Sequence, residues 1–174
     1  MKNENVKKLT YTALFTAIVC VLTYIIKIPT ANGYLNLGDC GVYVAAVMCG
    51  PLAGAFAGGV GSALADIFGG YASWALPTFI IKGVMGLVVG YFASKTKYVC
   101  VRNIIWMVIT GVWMVLGYYF ADILVFGSSM GTFGAAILGM IPNVIQNLTG
   151  IVTSNLVLAA LSKTQFKGLR QTVA

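Results

Sequence analysis

A chain of 174 residues that is 59% hydrophobic and 9% charged, with a mean hydropathy of +0.91, is too apolar to be a water-soluble domain. Ordinary soluble enzymes are excluded, and a nucleotide-hydrolysing domain has no room. The eleven Lys and Arg outnumber the four Asp and Glu, giving a net charge of +7, and where they fall along the chain matters more than the total.

Uncharged runs of 18 residues from Leu9 to Ile26, 26 from Cys40 to Ala65, 19 from Asn103 to Ala121 and 40 from Ile123 to Ser162 are long enough to cross a bilayer. They predict an all-α integral membrane protein: one membrane domain over residues 1–174, a six-transmembrane-helix bundle. The first helix is predicted at Thr10–Ile28. It follows a basic start, is too long for a signal peptide and lacks a small-residue cleavage site. Ala13 and Ala17 lie on it four residues apart. The run Pro29 to Gly33 breaks the pattern, and a short second helix follows at Asp39–Cys49, tilted or running almost directly into the third at Gly50-Pro51.

The third helix, Pro51–Phe68, sets Gly54, Gly58 and Ser62 at four-residue spacing beside Ala55 and Gly59, a face that lets another helix approach closely. After Gly69-Gly70 comes the fourth helix, Trp74–Ala93, where Gly86 and Gly90 repeat the device. A polar connector, Lys95 to Asn103, leads to the fifth helix at Ile104–Phe126, and the Gly127 to Gly134 stretch separates it from the sixth at Gly139–Leu161. Strands are not expected, because period-two alternation is missing.

Six crossings put both termini on one side. Lys2, Lys7, Lys8, Lys95, Lys97, Arg102, Lys163, Lys167 and Arg170 share that side; only Lys27 falls opposite, and Lys82 lies within the fourth helix. The positive-inside bias makes the nine cytoplasmic. A basic nucleic-acid surface is the weaker reading of the charge. The four cysteines form no C-x-x-C pair and read as small buried hydrophobes, not as a disulfide framework or zinc site.

Ionisable residues in apolar spans are costly, about 2.5 to 3.5 kcal/mol near a helix centre, and should face an interior or cavity. In this topology Asp39, Asp66 and Asp122 lie at outer helix ends, and Lys82 about 12 Å below its helix start. Asn143, Gln146, Asn147 and Gly150 share one face of the sixth helix. These groups converge at similar depth and predict a substrate-binding cavity of Asp66, Lys82, Asn143, Gln146 and Asn147, assisted by Asp39, Asp122, Trp74 and the Asn32 to Asn36 loop. The alternative is an internal salt bridge from Lys82 to Asp66 or Asp122, with the amides gluing helices together and Asp39 capping its helix. Tyr34, Tyr71, Trp74 and Tyr118 fit either an interfacial belt or an aromatic-lined pocket.

With no His, no nucleophile-base pair, no G-x-x-x-x-G-K-[ST] and no H-E-x-x-H, the chain has little for metal-assisted or nucleophilic chemistry. No catalytic residue and no cofactor is expected, and energy from ATP, if used, must come from another subunit.

At GYLNLGDCGVYVAAVMCGPLAGAFAGGVGSALADIFGGY (Gly33 to Tyr71) and PTFIIKGVMGLVVGYFA (Pro77 to Ala93), with Asn143-Val-Ile-Gln146 and the Ala13/Ala17 pair, the chain resembles the substrate-binding S components of energy-coupling factor (ECF) vitamin transporters. It is most similar to the branch that includes hydroxymethylpyrimidine and pyridoxine-type uptake proteins. The resemblance implies a pocket near the extracellular side, partly covered by the first loop, and partners: a transmembrane coupling subunit and two ATPase subunits, on which the S component topples. It also implies that Ala13 and Ala17 contact the coupling subunit. The cargo is then a small water-soluble vitamin or precursor, with riboflavin or another vitamin as the alternative. A small integral-membrane enzyme and a ligand-free structural subunit are the readings from other classes.

Overall fold

The computed structural model describes residues 2–30, 33–93, 97–127 and 130–163. Asn32, Lys95, Lys167 and Arg170, named above, lie outside these residues. Helix α1 runs Lys2–Ile25, and strands β1 (Ile28–Thr30) and β2 (Gly33–Leu35) follow. Helix α2 is Gly38–Cys49 and α3 is Pro51–Phe68. A 3-10 turn at Ala72–Trp74 leads into α4, Ala75–Ala93; α5 is Val101–Phe126 and α6 is Met130–Ser162.

Five of these helices are long and apolar enough to cross a membrane, and large side chains such as Leu9, Leu76, Val101 and Leu124 lie exposed on their outer faces. That pattern suits lipid as the surrounding solvent. Helix α2, at twelve residues, is the exception. It reaches only about 18 Å at 1.5 Å per residue. Nearly every residue from Gly38 to Cys49 is buried, because α2 packs against α1, α4 and α6 inside the bundle. Tyr43 on α2, Met85 on α4, Met107 and Met114 on α5 and Leu158 on α6 fill the centre.

The sharp corner from α2 to α3 uses Gly50 at φ 88°, a left-handed conformation that glycine adopts freely, with Pro51 opening the next helix. From there α3 and α4 run antiparallel in near-backbone contact. A Cβ added to Gly54 would meet the Gly86 carbonyl oxygen at 2.5 Å, and one on Gly90 would meet Pro51 Cα at 2.6 Å. Midway, Ala57–Gly61 forms a π-helical turn, which carries one extra residue in the coil.

Three expectations change. The loop after α1 holds an antiparallel hairpin, pairing Ile28 with Leu35, Pro29 with Tyr34 and Thr30 with Gly33. Helix α1 therefore stops at Ile25, short of Ile28, as the chain enters extended backbone ahead of Pro29, and it starts at Lys2, well before Thr10. Helix α6 begins at Met130, well before Gly139, and carries Pro142 inside it.

Candidate functional site

The hairpin, the 3-10 turn and the adjoining ends of α3 to α6 enclose a cavity of ≈ 70 Å³, several times the room one water needs. Tyr34 and Asn36 come from the hairpin side, Asp66 from α3, Tyr71 and Trp74 from the turn before α4, and Thr78 from α4. Tyr118 and Asp122 come from α5, and Gly139, Pro142, Asn143 and Gln146 from α6. These residues reach the same end because α3 and α5 finish where α4 and α6 start.

Of the residues expected to bind substrate, Asn36, Asp66, Trp74, Asp122, Asn143 and Gln146 line this cavity; Asp39, Lys82 and Asn147 lie behind it. The Lys82 ammonium is buried in an ion pair with Asp39, not with Asp66 or Asp122, and also touches Met114 Sδ at 2.9 Å. Depth alone did not separate the three carboxylates. Helices α2, α3 and α5 all pack on α4, and it is Asp39, in the first turn of the buried helix α2, whose carboxylate meets the ammonium. The same pairing removes the capping role of Asp39: its carboxylate makes no cap bond in α2, and Oδ2 instead accepts from Gln146 Nε2 at 3.0 Å.

Gln146 links this buried pair to the loop. Its Oε1 accepts from the Asn36 backbone N–H at 3.1 Å and from Asn36 Nδ2 at 3.2 Å, while Asn36 Oδ1 accepts from the Gly38 N–H at 2.9 Å. Because Asp39 can only accept, it fixes which way the Gln146 amide points. Asn147 faces α2 and α5: the Tyr43 hydroxyl donates to its Oδ1, and a Cβ on Gly111 would collide with its amide.

The aromatic wall is tied to the carboxylates. Tyr34 donates to Asp66 Oδ1 at 2.5 Å, and its ring lies 4.9 Å from that of Tyr71. Burial, reinforced by the hydrogen bond to Asp66, pushes the Tyr34 phenol above its ordinary pKa and keeps it a donor. The Tyr118 hydroxyl donates to Thr78 Oγ1 at 3.2 Å, Trp74 packs against Tyr118 at 6.1 Å, and Lys82 Nζ lies 5.7 Å from the Tyr118 ring centre. Thr78 was missed in the sequence, although it stands one turn before Lys82 on an otherwise apolar stretch. Pro142 left no polar signal. None of the four cysteines is in a disulfide, and no cluster of potential metal ligands occurs among the described residues.

The profile of the family described as "ECF-type riboflavin transporter, S component" matches residues 3–163. This chain belongs to the ECF-type S-component family. Among curated relatives, an uncharacterised protein from a gap 3′ region of Pyrococcus woesei is 42% identical over 136 residues, covering 77% of this chain and 87% of that protein. The thiamine precursor transporter HmpT of Lactococcus lactis subsp. cremoris is 30% identical over 167 residues, 94% of this chain and 93% of its own length. The solved structure of ThiT from Listeria monocytogenes superposes with a TM-score of 0.69 over 95% of this S component and 98% of that chain, at 23% identity, a likeness of fold. The protein is thus the substrate-binding, multi-pass membrane subunit of an ECF transporter for a vitamin or vitamin precursor, and S components are not enzymes.

Proposed function

We propose that the cavity captures a small, neutral, nitrogen-rich ring of the thiamine-precursor class, with hydroxymethylpyrimidine as the leading cargo. The observation that carries this reading is the lining itself: two carboxylates, Asp66 and Asp122, three side-chain amides, Asn36, Asn143 and Gln146, and four aromatic rings, with no Lys or Arg among the described lining residues. Lys82, which lies behind it, is neutralised by Asp39. Such a site accepts hydrogen bonds and stacks on planar faces, and it disfavours an anion. An aminopyrimidine offers N–H donors and a flat face with no negative charge; a carboxylate-bearing vitamin would bring an anion beside Asp66 and Asp122. The relation to a thiamine precursor transporter over nearly the whole chain supports the same class.

In this reading the hairpin end faces outward, six helices cross the bilayer, and both termini are cytoplasmic. Nine basic residues against one support that orientation. A transmembrane coupling subunit and two ATPases supply the energy, and the S component topples on the coupling subunit to deliver cargo. Ala13 and Ala17 are exposed on α1, as a docking face requires.

Isothermal calorimetry of the purified, detergent-solubilised protein tests the cargo. Hydroxymethylpyrimidine should bind, and Asn143→Ala should weaken it. Riboflavin, the cargo named in the family description, is the competing ligand; tight riboflavin binding without pyrimidine binding would replace this reading.

A further inference from the structure

Lys27 is the basic residue that the charge tally sets apart on the side opposite the other nine, and the cavity described above does not use it. Its ammonium lies 4.6 Å from the ring centre of Tyr24, 4.8 Å from that of Tyr34 and 5.7 Å from that of Tyr71. Gly69 provides the remaining side: a Cβ there would collide with Lys27 Nζ. Three rings around one ammonium form the kind of cage that binds organic cations. Here the chain fills the cage with its own side chain. Two of the three rings, Tyr34 and Tyr71, are shared with the cavity, so the cage borders the cargo site directly.

We propose that Lys27 is a specificity-determining residue, a tethered cation that occupies the cage beside the cavity and selects a neutral single-ring cargo over a larger one carrying a fixed positive charge. This rests on the cargo reading above. Two carboxylates in a poorly solvated cavity would on their own draw in cations, and a site built only from Asp66, Asp122 and tyrosine rings would favour a charged vitamin over its neutral precursor. Lys27 opposes this in two ways. It fills the aromatic surface that a second, cationic ring would stack on, and its charge repels that ring at short range where screening is weak. A neutral ring hydrogen-bonded to the carboxylates meets neither obstacle. A lysine that merely extends towards the interface along its apolar stem would make no such distinction between cargoes.

The test compares dissociation constants for hydroxymethylpyrimidine and for thiamine, which adds a permanently charged thiazolium ring, measured by calorimetry on the full-length solubilised protein. The wild type should prefer the neutral pyrimidine. Lys27→Met should move the ratio of the two constants towards thiamine by about three- to thirty-fold, the range of a cation–π contact. Lys27→Arg, which keeps the charge, should retain the wild-type ratio. Tyr24→Leu, which removes the cage wall that does not line the cavity, should shift the ratio in the same direction by a smaller factor, and serves if Lys27→Met fails to fold. An unchanged ratio in Lys27→Met and Tyr24→Leu, or equal weakening of both ligands, would overturn the proposal while leaving the cargo reading intact. A wild type that binds neither ligand would overturn both.

Discussion

Where α3 begins and α4 finishes, the two helices touch almost backbone to backbone, Gly54 against Gly86 and Pro51 against Gly90; at their other ends the same two helices carry Asp66 and Thr78 into a cavity, with Trp74 from the turn between them. The first region has no side chains large enough to hold the helices apart, and the second is walled by rings. In a bilayer, lipid tails are as apolar as leucine, so helix association draws on close packing and interhelical hydrogen bonds. The glycine seam supplies the packing. That firm half leaves the other half free to hold polar groups in a space shaped for something other than protein.

The comparison breaks first at the ion pair that lies behind the cavity. Lys82→Met should leave Asp39 as an uncompensated buried charge and destabilise the protein by about 3 to 5 kcal/mol, seen as a large fall in thermal midpoint in detergent. Adding Asp39→Leu should recover most of the loss. A stable Lys82→Met protein that only lost ligand affinity would place Lys82 in the site after all.

At the glycine seam, Gly86→Val should cost about 3 kcal/mol, because the obstructing atoms belong to the Gly54 backbone and cannot rotate away. Ligand affinity in the folded fraction should change little. A parallel loss of affinity would mean that the two halves do not divide the labour as described. The converse holds for the cavity: Asn143→Ala should weaken cargo binding by about 1 to 3 kcal/mol, roughly five-fold to over a hundred-fold, with the thermal midpoint of the ligand-free protein nearly unchanged. The smallest effect is expected for Tyr43→Phe, which removes hydrogen bonds to Asn147 and to the Met107 carbonyl and should cost about 1 kcal/mol of stability, read from the same melting curves.

Hydropathy and glycine spacing made the apolar helices and the small face of α3 readable, and the depth of Asp66, Asp122, Asn143 and Gln146 anticipated that they would meet. Depth, however, is only one coordinate. The choice of Asp39 as the partner of Lys82 depends on which face of α4 the lysine stands on, because α2, α3 and α5 all pack against that helix. The face shared by Asn143, Gln146, Asn147 and Gly150 is wide enough to touch two surroundings. Asn143 and Gln146 meet the cavity, whereas Asn147 meets Tyr43, and Gly150 lets Asp39 approach. The hairpin escaped notice because strands of three residues are too short to show alternation.

The π-helical turn at Ala57–Gly61 bears on what lengths this sequence tolerates. Elsewhere in an α-helix each residue advances the phase by about 100°, so losing one residue turns every later side chain to a new direction. A π turn is an α-helix already holding one residue in surplus. Removing Val60, the half-buried member of that turn, should let α3 close into a regular coil with Pro51 and Asp66 still aimed as before. Removing a residue between Gly83 and Gly86 has no such slack and would swing Lys82 or the glycine seam out of register. Within this bundle the wide turn is therefore where an ancestral chain could have gained a residue without rotating the carboxylate beyond it.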